Sequence, residues 1–163
     1  GYHSAASMPT NPLSHTMNGK NVYVKINDII CPELFINALT AAYEGKPIYL
    51  LTGDKGLCEW LHKMNANIPT VAVSEGMGGA SLSINPHLAV KRIREAAEKA
   101  LSIDPKKLMF PMPDHFRVEI AFRNHTYATN GSHYPGCVQL DSTRVAFESN
   151  DYMDVLKFFY WVL

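Results

Sequence analysis

Between residues 22 and 100, short apolar runs alternate with amphipathic stretches, and this rhythm limits the fold more than any other feature of the chain. Val22, Val24 and Ile26 interleave with Tyr23, Lys25 and Asn27, the period of two that marks a strand. Asn27-Asp28 reads as a tight turn, because both residue types tolerate positive φ. Pro32 suits the first position of a helix running on to Tyr43, and Gly45 suits its C-terminal cap. Residues 47–51 predict a second strand. Thr52-Gly53-Asp54 then opens a helix whose Leu57, Trp60, Leu61 and Met64 recur at spacings of three and four. Residues 69–73 predict a third strand, followed by a glycine-rich loop and a long helix capped by Asn85-Pro86. Strands at 116–122 and 144–147 and a helix at 151–163 complete the reading.

Strands alternating with helices imply an α/β fold of βαβ units with a mainly parallel sheet, followed by a smaller C-terminal α/β layer. The three prolines between residues 104 and 114 read as a linker. The predicted division is therefore an α/β domain over 1–103 and a smaller subdomain over 115–163. A length of 163 residues suits one domain, or a domain with an appendage.

Composition removes several function classes. Fifteen basic residues balance fifteen acidic ones, so no electrostatic footprint for nucleic acid or anionic lipid exists. No apolar run approaches the ~20 residues of a membrane helix. Cys31, Cys58 and Cys137 form no C-x-x-C, which argues against a disulfide framework or thiolate zinc site and for a reducing, cytoplasmic setting. The start, Gly1-Tyr2-His3, is unlike a signal peptide and lacks an initiator methionine, so the chain is expected to begin inside a larger gene product.

His3, His15 and Glu33 are the first candidates for chemistry. Imidazole and carboxylate are the usual non-thiolate zinc ligands. Glu33 follows Pro32 in a first helical turn, where the helix dipole favours the ionised form that binds metal. The same placement also suits a residue that only starts a helix, and histidines in a polar loop are often solvated. Other features have plainer readings. Gly76-Met77-Gly78-Gly79 lacks the G-K-[ST] ending of a phosphate loop. His125 and His133 flank an Asn-Gly turn, and Phe147, Tyr152, Phe158, Phe159 and Trp161 read as core and subunit interface. Asp54 sits where α/β ligands bind, but helix capping accounts for it equally well.

Several separated motifs change the weighting. Gly1-Tyr2-His3-Ser4-Ala5, Ser14-His15-Thr16-Met17, the run from Ile26-Asn27-Asp28 to Glu33-Leu34, Asn37-Ala38, Thr52-Gly53-Asp54 and Ser83-Ile84-Asn85-Pro86 occur in one order. In that order they resemble the zinc-dependent D-aminopeptidases of dipeptide-transport operons, most clearly up to residue 101. The resemblance implies that His3 and Glu33 ligate zinc and that His15 is the catalytic residue off the metal. It implies hydrolysis of short peptides with an N-terminal D-residue, such as D-Ala-D-Ala, and homo-oligomeric rings. The family's other ligands lie upstream of the residue matching Gly1. The chain is thus expected to be the larger C-terminal part, with little peptidase activity alone and activity restored by the missing N-terminal segment, in cis or as a fragment partner. The alternative is a non-catalytic oligomerising or binding subunit derived from the same fold.

Overall fold

A computed structural model describes residues 2–163. In chain order the elements are β1 (Asn21–Ile26), β2 (Ile29–Ile30), α1 (Glu33–Tyr43), β3 (Leu51–Asp54), α2 (Lys55–Met64), β4 (Thr70–Met77) and β5 (Ala80–Ser83). There follow α3 (Pro86–Ala100), a 3₁₀ turn at Pro105–Leu108, β6 (Phe116–Phe122), α4 (His125–Gly131), β7 (Val138–Gln139), β8 (Arg144–Ser149) and α5 (Tyr152–Val162). None of these helices is long and apolar enough to cross a membrane.

The elements form two compact units that exchange segments near the start of the chain. The first holds residues up to 4, 8–14 and 34–112; the second holds 5–7, 15–33 and 113–163.

In the first unit the sheet order is β3-β4-β5. β3 and β4 pair in parallel through the α2 crossover, a βαβ unit as predicted. Asp54 ends β3 and caps α2 by accepting the Leu57 N–H at 2.9 Å. β4 and β5 are antiparallel. Two glycines join them, with Gly78 at φ 61°, the glycine-first turn that matches strand twist. The core gathers Leu51, Leu57, Leu61 and Ile68, with Phe35 tilted against Trp60 and Phe110 at centroid distances of 5.3 and 5.7 Å.

The second unit is a five-stranded sheet of order β2-β1-β6-β8-β7, antiparallel throughout. Asn27 and Asp28, at φ 49° and 65°, make the turn between β1 and β2, as their tolerance of positive φ predicts. Alternation along β6 sends Phe116, Val118, Ile120 and Phe122 to one buried face. There Phe116 meets Tyr152 of α5 at 5.2 Å, and Phe147 of β8 stacks on Phe158 at 4.7 Å. The opposite face is polar. Glu119 accepts the Tyr23 hydroxyl at 2.6 Å and faces Arg117 and Arg144 at 3.4 and 3.3 Å.

The expectation of a mainly parallel sheet is corrected: β3–β4 is the one parallel strand pair among the described residues. A two-residue turn permits only an antiparallel neighbour, so the glycine-rich stretch became a hairpin rather than a crossover. The C-terminal layer is also larger than predicted, because β1 and β2 from the front of the chain join its sheet. The strand expected at 47–51 is shifted to Leu51–Asp54, and α4 was not anticipated.

Candidate functional site

In the first unit, the chain around His3 is held to the end of β3 by one carboxylate. Tyr2 forms a parallel bridge with Gly53 and donates its N–H to the Thr52 carbonyl at 2.9 Å. Ser4 donates its N–H and its hydroxyl to the two Asp54 oxygens, each at 2.6 Å. Asn11 adds a bond to the same carboxylate at 3.1 Å. Asp54 is 1% exposed, and its donors, including the Leu57 cap, are neutral groups fully used in holding it. Gly53 is required here: a Cβ would come within 2.5 Å of the Tyr2 carbonyl oxygen.

His3 is oriented by its own neighbour. Its Nδ1 lies 3.0 Å from the Ser4 carbonyl oxygen. A carbonyl only accepts, so Nδ1 carries the proton and Nε2 the lone pair. Metal-binding imidazoles are commonly fixed in this way, one nitrogen donating to backbone while the other faces the ion.

In the second unit, buried Thr16 anchors the loop that carries His15. Its hydroxyl donates to the Cys31 carbonyl at 2.9 Å and accepts the Ala6 N–H at 3.3 Å, while Asn21 donates to its carbonyl at 2.8 Å. Met17 turns through φ 64° and donates its N–H to Glu33 Oε1 at 2.9 Å. His15 Nε2 stands 3.6 Å from the same Oε1. That is beyond hydrogen-bond reach, and becomes an ion pair when the imidazole is protonated. The His15 side chain is 41% exposed and that of Glu33 24%, so the imidazole is the more accessible of the two to a ligand.

Of the candidate donors, His3 lies in the first unit and His15 and Glu33 in the second, each an imidazole or carboxylate of the type that holds zinc. His125 and His133 fall in no three-donor group among the described residues. The cysteines are poor candidates, since burial pushes the Cys58 and Cys137 thiols up and away from the thiolate form. The stretch Gly76–Gly79 is the end of β4 and its turn, not a phosphate cradle. Phe158 and Phe159 are core, whereas Trp161 is exposed beside Tyr160.

Sequence reasoning missed two supporting parts. The Asp54–Ser4 clamp joins residues fifty apart, and no local pattern marks such a pair. Met17 adopts positive φ without being Gly, Asn or Asp, so its residue type carries no signal of the turn.

Comparison with known proteins places this arrangement. The D-aminopeptidase family profile matches residues 1–161, and the chain belongs to that family. It is 28% identical over 159 residues to a D-aminopeptidase of Bacillus subtilis (strain 168), covering 96% of this chain and 58% of the relative. Its fold matches the solved structure of the Zn-dependent D-aminopeptidase DppA from Bacillus subtilis, described as a self-compartmentalizing protease, with a TM-score of 0.84 and 27% identity. That match covers 99% of this chain and 61% of the other. The chain therefore spans about three-fifths of the length of these relatives.

Proposed function

We propose that the chain carries part of the site of a zinc peptidase acting on short peptides with an N-terminal D-residue, with D-Ala-D-Ala as the type of substrate. His3 and Glu33 serve as ligands, and His15 is the catalytic residue off the metal. The observation that carries this reading is the donor set itself: an imidazole whose tautomer leaves its lone pair on Nε2, and a carboxylate seated at a helix start and held by the Met17 N–H. Family membership and the zinc dependence printed for the Bacillus subtilis structure support it.

Zinc held there would polarise the scissile carbonyl and lower the pKa of a bound water. The protein's own groups do the rest. Met17 fixes the Glu33 carboxylate by its backbone N–H, and the Ser4 carbonyl holds the His3 ring. His15, near Glu33 and accessible at its edge, takes a proton from the attacking group and returns it to the leaving amine. Catalytic zinc takes three protein ligands, so two alone imply that further ligands come from polypeptide outside this sequence. Copies of the chain assemble into a homo-oligomer.

Glu33→Gln separates a ligand from a helix-start residue. A ligand's loss removes zinc, measured as metal stoichiometry after dialysis, together with any turnover. A helix-start role costs only ~0.3–1 kcal/mol of stability and leaves the metal in place, which would overturn the assignment. In the enzyme reconstituted with the polypeptide that supplies the further ligands, His15→Ala should lower kcat by roughly 10²–10⁴ with zinc retained. Loss of zinc in that variant would make His15 a ligand instead.

A further inference from the structure

β5 is the outer strand of the three-stranded sheet, and all four of its residues are exposed. Outer strands in single-chain proteins are ordinarily blunted by shortness, charge, proline or a bulge, because their unpaired backbone groups recruit other strands. Ala80-Ser81-Leu82-Ser83 is short, at four residues, but has no charge, proline or bulge. Its Leu82 is 64% exposed.

The register shows which groups face outward. Ile84 donates its N–H to the Val73 carbonyl at 3.1 Å, which makes 73 and 84 a hydrogen-bonded pair. Hydrogen-bonded and non-hydrogen-bonded pairs alternate along an antiparallel ladder. Leu82 opposite Glu75 and Ala80 opposite Met77 are therefore bonded to β4, whereas Ser81 and Ser83 turn their N–H and C=O groups away from it.

We infer that β5 is a self-pairing edge, where a second copy of this chain adds its own β5 antiparallel about a two-fold axis at Leu82. That axis sets Ser81 of one copy against Ser83 of the other, and the reverse. Each such pair exchanges two backbone bonds, giving four in all, made by the groups that face outward. Leu82 meets Leu82 of the second copy at the intervening non-hydrogen-bonded position, where side chains approach most closely. The pairing is isologous, and no like charges oppose one another within it. Leu82 also borders a hollow of about 280 Å³ whose lining mixes apolar Ala72 and Ile84 with Ser74, Ser83 and the paired Lys55 and Glu75. The inference rests on the proposal that copies of this chain assemble, and assigns the surface they use.

The test combines light scattering with cross-linking. Ser81→Pro removes one outward N–H and leaves the β4 ladder bonded, since proline is tolerated at an edge position facing solvent. Its mass should fall to half that of the wild-type assembly, or to that of the monomer, with helix and strand content unchanged. Leu82→Cys should form a covalent dimer on mild oxidation, the opposed Cβ atoms being within cystine reach, and the double variant with Ser81→Pro should not. An assembly of wild-type mass in Ser81→Pro, together with no Leu82→Cys dimer, would place the contact elsewhere and overturn this surface while leaving oligomerisation intact. A wild-type chain that is monomeric at every concentration would overturn the oligomer reading itself.

Discussion

Each unit buries one carboxylate, and the two are stabilised in opposite ways. Asp54 in the first unit is satisfied by neutral donors: the Ser4 N–H and hydroxyl, the Leu57 N–H and the Asn11 amide. Glu119 in the second is satisfied by the Tyr23 hydroxyl and by the Arg117 and Arg144 guanidiniums. Neutral donors supply direction without net charge, so Asp54 fixes the position of the segment that carries His3. Cations supply charge, so the polar face around Glu119 responds to salt and acid. The first arrangement fastens a loop to the end of β3 and the second stabilises a sheet.

The contrast extends to packing. In the second unit, α5 buries Tyr152, Val155, Phe158 and Phe159 against the sheet. In the first, the fifteen-residue α3 buries only Ala100, and Val90 and Leu101 remain 61% and 77% exposed. Apolar surface also remains on the second unit, at Tyr160 and Trp161 beyond the buried face of α5, so the contrast lies in how fully each unit's last α-helix is packed.

The largest effect that can break this comparison comes from Asp54→Ala. Removing the carboxylate leaves the Ser4 and Leu57 N–H groups buried without acceptors, at an expected cost of about 3–5 kcal/mol. Urea unfolding measures it. A loss below ~1 kcal/mol would mean that water or another acceptor replaces Asp54, and the clamp would not be what holds the loop.

Gly76→Ala comes next. A Cβ there would lie 2.4 Å from the Thr10 carbonyl oxygen, and backbone cannot yield as a flexible side chain would. We expect about 1–3 kcal/mol, as for an overpacked core. Hydrogen exchange should show the damage locally, as faster exchange of the Gly76 N–H that now donates to Thr10 at 3.0 Å. Unchanged protection at Gly76 would show that the loop moves without strain.

Much of this was legible in the sequence, for physical reasons that differ by element. The β1–β2 turn followed from Asn27-Asp28, and the start of α3 from Asn85-Pro86, because backbone demands there select residue type. The roles proposed for His3, His15 and Glu33 come from their donor chemistry and from the order of motifs around them. Partner choice between strands was not legible. β1 pairs with β6, nearly a hundred residues away, and nothing in the local pattern of either names the other. Strand boundaries failed at residues 47–51 because an apolar run predicts burial, not ladder pairing. Gly76–Gly79 misled for another reason: glycine there serves close approach at one position and a tight turn at the next, which sequence reads alike as a loop.

The smallest effect is the most discriminating, because it isolates the charged half of the comparison. Burial alone pushes the Glu119 carboxyl up, but the Tyr23 hydrogen bond and the charges of Arg144 and Arg117 outweigh it, so the net shift is downward. A carboxyl held below its unfolded value contributes stability that is present above that value, about 4.3, and is lost as pH falls through the folded one. Glu119→Gln keeps an acceptor for Tyr23 and removes only the charge. At pH 6 it should cost roughly 1 kcal/mol, because both arginines are more than a third exposed and solvent screens them. Arg144 also pairs with Asp141, whose carboxyl is held at about 2 by the Thr143 N–H and by Arg144 itself, so Asp141 keeps most of its charge between pH 5 and 3. The stability gap between wild type and variant should therefore narrow across that window through Glu119, and narrow at pH 6 when salt is raised. Asp54→Asn, measured in parallel, should show no comparable salt dependence, because no cation faces Asp54 in the bonds that hold it. Equal salt responses from the two variants would erase the distinction between a carboxylate that positions and one that pairs.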